Sequence, residues 1–200
     1  MNRFVKFFCD ISNSFWVHWS NFRFRKSCRF DTTLLYEDEI HSFSDISPLI
    51  KKLYSEFKYK KDGITQLGDA VLPPSEAYRR YTVDKVMTNK YYKEDCDGFH
   101  SLVYHCFKNS NLQCYLLTVN AKGCGHCVLV FRYDSVWYVV DYDTLVGVEP
   151  NLKSVIEHYN NYFKDCYSDG NKVFYNSLLK YDYKKGKFKM LNYYKTLKAN

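Results

Sequence analysis

The chain is poor in the residues that interrupt folded structure. Four prolines and eight glycines in 200 residues are far from the composition of a disordered or collagen-like chain. Nowhere does an apolar run approach the roughly 18 residues a transmembrane helix needs, so no membrane partner is expected. The first apolar stretch follows Arg3 and Lys6 but stops at Cys9-Asp10. That is too short for the apolar region of a secretory signal, and no cleavage site follows it. Gly-rich phosphate loops, Ser–His elbows and paired glycosidase carboxylates are also missing. With no secretory signal, the eight cysteines read as reduced thiols in a cytoplasmic protein rather than as a disulfide framework, for which the chain is long.

What the chain has in abundance is aromatic residues, 20 Tyr and 15 Phe, enough for a sizeable core in one domain. The net charge of +7 permits an anionic partner without arguing for one. Lys, Tyr and Asn outnumber Ala, Gly and Arg, which hints at an AT-rich genome and so at a phage or viral protein, one that could be virion-associated. Residues 1–43 interleave Phe15, Trp16, Trp19, Phe22 and Phe24 with Arg23, Arg25 and Lys26. This pattern suits an appendage that packs its rings on the main domain, residues 44–200, better than a nucleic-acid surface.

Within the main domain the periodicities alternate. Ser47-Pro48 predicts a helix start, with apolar spacing running to about Lys61 and Asp62-Gly63 as its stop. A loop over 64–74 and a short helix over Ser75–Tyr81 follow, then a polar approach over 82–93. Phe99, Leu102, Val103, Cys106 and Phe107 keep i, i+3, i+4, i+7, i+8 spacing, one face of a helix whose start is bracketed by Asp95 and Asp97. Strands are expected over Leu112–Val119, His126–Tyr133 and Val136–Asp143. After them come a helix from Pro150 and a hairpin around Lys184-Lys185-Gly186 with a solvated, charged face. The fold class is α+β with an antiparallel sheet.

Cys96 falls at the start of its helix, where the positive end of the helix dipole favours thiolate. A thiol nucleophile needs a base, and the base needs an orienting group. If Asp134-Ser135 is a two-residue hairpin turn, residue 128 sits opposite 141 and residue 126 opposite 143. His126 and Asp141 are then diagonal neighbours on one face, within imidazole–carboxylate reach, and a register with 126 directly opposite 141 also brings them together. Asp143 shares that face and competes as orienter. Asp141 is favoured because it ends the apolar run Trp137-Tyr-Val-Val140 and so should be the more buried.

Cys96 at a helix start, His126 opening a strand and Asp141 ending the next resemble, in order and spacing, the transglutaminase-like, papain-like superfamily of cysteine proteases. Asp95-Cys96-Asp97-Gly98-Phe99 is similar to its nucleophile helix start, Gly125-His126 to its Gly-His strand, and Trp137-Tyr-Val-Val-Asp141 to its Trp-Tyr-x-x-Asp strand. Pro74-Ser-Glu76 is similar to the Pro-x-Glu of bacterial transglutaminase-like cysteine proteinases. The match covers about residues 45–145. Glu94, where Gly is common, and Cys127, where Ala or a larger apolar residue is usual, depart from it. The resemblance implies a nucleophile helix packed on an antiparallel sheet. It also implies acyl transfer through Cys96, His126 and Asp141 on a protein or peptide amide, with no cofactor. A catalytically silent scaffold or virion component of the same fold is the alternative.

Two rival readings are weaker. Cys124-Gly-His-Cys127 spells the string of protein disulfide isomerases, but there the first cysteine begins a helix, whereas here strand residues follow. A zinc site from Cys124, His126 and Cys127 would need ligands such as His100, His105, Cys106 or Cys114, and no second Cys-x-x-Cys pair exists.

Overall fold

The computed structural model describes residues 40–61, 71–72, 74–107, 110, 112–121, 124–167 and 175–200, with eight scattered positions between 7 and 22. The aromatic–basic stretch and the loop expected over 64–74 therefore lie largely outside the described residues.

The elements, in chain order, are α1 (Phe43–Ser55), β1 (Phe57–Tyr59), α2 (Pro74–Tyr81) with a π-helical continuation (Thr82–Met87), β2 (Tyr92–Glu94), α3 (Cys96–Cys106), β3 (Gln113–Ala121), β4 (Cys124–Tyr133), β5 (Val136–Asp141), β6 (Thr144–Glu149), α4 (Leu152–Tyr167), β7 (Tyr175–Asp182), β8 (Lys187–Met190) and α5 (Tyr193–Ala199). The chain is thus an α+β protein built on a six-stranded antiparallel sheet in the order β6-β5-β4-β3-β7-β8. Four of its contacts are hairpins, and the crossover through α4 returns β7 to lie beside β3. A separate two-stranded parallel pair joins β1 to β2.

Both faces of the sheet are covered, and alternation along each strand sorts its residues between two cores. Leu116, Cys127, Leu129, Phe131 and Val140 point toward α1, α2 and α3. Tyr115, Leu117, Val128, Val130, Trp137 and Val139 point toward α4. Covering both faces explains why these strands carry near-continuous apolar runs.

α1 begins earlier than expected. Ser42 caps it, and the Asp45 carboxylate accepts from the main-chain N–H groups of His41 and Ser42 at 3.0 and 2.8 Å. This is a capping box with Asp in place of the usual Glu or Gln, and Pro48 then falls inside the helix, giving up one main-chain donor. The helix also ends earlier, because the Glu56 carbonyl accepts from the Tyr92 N–H at 2.9 Å and the next residues pair as β1.

The C-terminal hairpin corrects the expectation of a solvated face. β7 is inside the sheet, and Leu178, Leu179, Tyr181 and Phe188 are buried. Lys184 and Lys185 lie at the hairpin tip, Lys187 and Lys189 on the outer strand β8, and Lys180 is the exposed position of β7. Among the described residues no helix is long and apolar enough to cross a membrane.

Candidate functional site

Asp95 begins α3 by capping it. Its backbone is extended, its side chain accepts from the Asp97 N–H at 3.2 Å, and Cys96 is the first helical residue. The helix is not amphipathic in the ordinary sense. Residues 97–106 are all buried, enclosed by α2, β2 and the sheet, while Cys96 is only half-buried. Its polar positions find internal partners. The Asp97 carboxylate accepts from the Leu72 N–H at 3.0 Å, and the Gly98 carbonyl accepts from the Tyr92 hydroxyl at 3.1 Å. Glu94, the departure noted in the sequence, is buried and ion-paired with Arg80. A Cβ at Gly98 would lie 2.7 Å from the Cβ of Glu94, so the glycine is what lets this glutamate fold back beneath the helix.

His126 and Asp141 meet as the hairpin geometry requires. Tyr133 pairs with Val136 and Leu129 with Val140, so the register puts 128 opposite 141. Asp134 and Ser135 both have positive φ, 44° and 71°, as a tight hairpin turn of the right twist demands. His126 Nε2 lies 2.8 Å from Asp141 Oδ1, and the Tyr159 hydroxyl of α4 donates to Asp141 Oδ2 at 2.9 Å. Asp141 is 3% exposed, whereas Asp143 lies on the surface beside Thr144. Burial alone would raise the Asp141 pKa. The His126 hydrogen bond, the charges of His126 and His100 and the Tyr159 hydroxyl outweigh it and hold the carboxyl below its usual range. The His126 ring stacks on Phe163 of α4, with centroids 5.4 Å apart and planes 11° apart.

Cys96 and this pair belong to different layers, and His100 spans them. Its Nδ1 lies 2.6 Å from the carbonyl oxygen of Cys96, and its Nε2 accepts from the Tyr142 N–H at 3.0 Å. A main-chain N–H can only donate, so Nε2 is the acceptor and Nδ1 carries the proton. The His100 ring is 5.9 Å from that of His126 and perpendicular to it. The Tyr142 ring lies 5.2 Å from His100 and 5.6 Å from His126. Full burial lowers the His100 pKa to about 4, against a smaller opposing pull from Asp141, so the imidazole is neutral at ordinary pH.

The structure therefore joins His126 to Asp141 directly and places the first turn of Cys96 against the same ring cluster. It adds His100, Tyr142, Tyr159 and Phe163, none of which the sequence reading placed at this site. His100 left one signal, its position four residues after Cys96, which puts both on one side of the helix. The string 124–127 opens β4, not a helix, so the redox context is absent. Among the described residues no cluster of three or more His, Cys, Asp or Glu side chains could hold a metal ion. No protein-family model matches the chain, and no curated protein matches it.

Proposed function

We propose that the chain is a thiol-dependent hydrolase, a cysteine peptidase or amidase with a papain-like, transglutaminase-like core. In this reading Cys96 is the nucleophile, His126 the base and Asp141 its orienter. The observation that carries it is the buried His126–Asp141 hydrogen bond at 2.8 Å beside the first turn of the Cys96 helix. With Nε2–H donated to the carboxylate, Nδ1 is the nitrogen with a lone pair to take the thiol proton. The thiolate then attacks an amide carbonyl of a protein or peptide, and the imidazolium, held by Asp141, returns the proton to the leaving amine. Water resolves the thioester by the same route in reverse. The N–H groups of a helix's first turn have no intrahelical partner, so that of Cys96 is the natural donor to the oxyanion.

The alternative, a silent scaffold, has one observation in its favour. The His126 side chain is only 9% exposed, as it would also be in a buried polar network kept for structure alone.

Thiol labelling separates the two. Cys106, Cys114 and Cys127 are buried, and burial pushes the Cys114 thiol well up. Iodoacetamide at near-neutral pH should give one fast adduct by intact mass, absent in Cys96→Ala. Labelling of Cys96 no faster than an ordinary thiol of pKa about 8.5 would leave the scaffold reading standing.

A further inference from the structure

We propose that His100 is a positioning residue for this site: a neutral imidazole that ties the turn after Asp141 to the helix bearing Cys96, and so sets the approach of the thiol to the His126–Asp141 pair. The inference rests on the reading of the site given above.

The need for such a tie follows from the architecture. Cys96 comes from the layer of α1–α3. His126 and Asp141 extend from the sheet face that α4 covers, where Tyr159 and Phe163 hold them. Packing of one layer on another fixes such separations loosely, whereas proton transfer requires hydrogen-bond distance.

The turn itself supplies the second observation. Asp141 pairs with Thr144, so Tyr142 and Asp143 form a two-residue connection, and Tyr142 has φ of 53°. Turns of this kind place glycine or asparagine where φ is positive. A bulky residue there is strained, and strain of this kind persists only where the surroundings over-determine it. Those surroundings are specific. The Tyr142 N–H is held by His100 Nε2, and its ring is packed by Phe57 at 5.9 Å, Phe99 at 5.6 Å and His100 at 5.2 Å. The hydrogen bond from Nδ1 to the Cys96 carbonyl fixes the tautomer that makes Nε2 an acceptor.

Two carboxamides separate positioning from bulk structure. In His100→Gln the side-chain oxygen can occupy the place of Nε2 and accept from Tyr142. In His100→Asn the shorter amide imitates Nδ1 and leaves the Tyr142 N–H unmet. Both are polar and similarly intrusive. The measurements are the pH profile of Cys96 alkylation by iodoacetamide and hydrogen exchange at the Tyr142 amide. His100→Gln should stay within about 3-fold of wild type at neutral pH, with the amide still protected. His100→Asn should lose about 10-fold or more, with its profile moved toward an ordinary thiol near 8.5 and the amide exchanging freely. Equal behaviour of the two variants, in rate or in protection, would overturn the positioning role. An ordinary profile already in the wild type would instead sink the hydrolase reading itself, while the Tyr142 amide would still report whether the tie exists.

Discussion

Asp141 is the residue on which the site's electrostatics turn. Both its oxygens are engaged, one by His126 and one by Tyr159, so Asp141→Asn keeps the shape and removes the charge. The imidazolium formed after proton transfer would then be buried without a counter-ion. Hydrolytic activity should fall on the order of 10²- to 10⁴-fold, and alkylation of Cys96 at neutral pH should slow in parallel. Intact-mass labelling over a pH series reads both the slowing and the shift of its midpoint. That this pair could be found in the sequence is due to one local rule. A two-residue turn fixes the parity of every facing position, so Asp134-Ser135 determines which side chains meet. His100 and Tyr159 obey no comparable rule. One reaches main-chain atoms across a layer, and the other comes from a helix whose docking angle no periodicity encodes.

At the scale of elements, the start of α3 depends on Gly98 for space rather than for backbone freedom. Gly98→Ala would press a methyl group into the Glu94 stem, which is held by Arg80. The expected loss is ~1–3 kcal/mol in chemical denaturation. Because the clash is with one side chain, Glu94→Ala should relieve it. The double variant should then be less destabilised than the two single losses added together, a coupling that a double-mutant cycle measures. Elements with long periodic stretches, α3, β4, β5 and α4, were legible from their spacing. Four short ones were not. β1 is hidden because Phe57 continues the apolar spacing of the helix before it. β2 lies in a Lys- and Tyr-rich segment with no alternation and exists because β1 pairs with it. β6 has no strand expected over it, because the turn at Tyr142-Asp143, which the expected strand Val136–Asp143 includes, lacks the glycine or asparagine that would announce it. α5 is a brief polar helix whose signal is the Asn192 cap, accepting from the Lys195 N–H at 3.0 Å.

The whole molecule should show a stability plateau bounded on both sides by buried titratable groups. The folded His100 has its pKa lowered from 6.5 to about 4, so below pH 6.5 the unfolded chain takes up a proton that the folded one refuses. Stability therefore declines from pH 6.5 toward 4, with Asp141, lowered from 3.8, extending the decline below that. The groups facing His100 are Asp141, His126 and Asp95. On the alkaline side, burial raises Tyr92, Tyr104, Tyr142 and Tyr183 above 10.0. Above that pH the unfolded chain releases protons that the folded one keeps, and stability falls again. Thermal melts from pH 4 to 11 should trace a dome with both shoulders, and His100→Gln should flatten the acid one.

The place of β7 has a consequence for how the chain is made. Leu116 in β3 has Leu179 as its partner, and most of the polypeptide between them is already committed to other strands and to α4. During synthesis β3 must wait with one edge bare until those last segments emerge. A ribosome-bound intermediate would expose a sticky ribbon edge beside the nascent site, where chaperones or a second unfinished copy could pair with it.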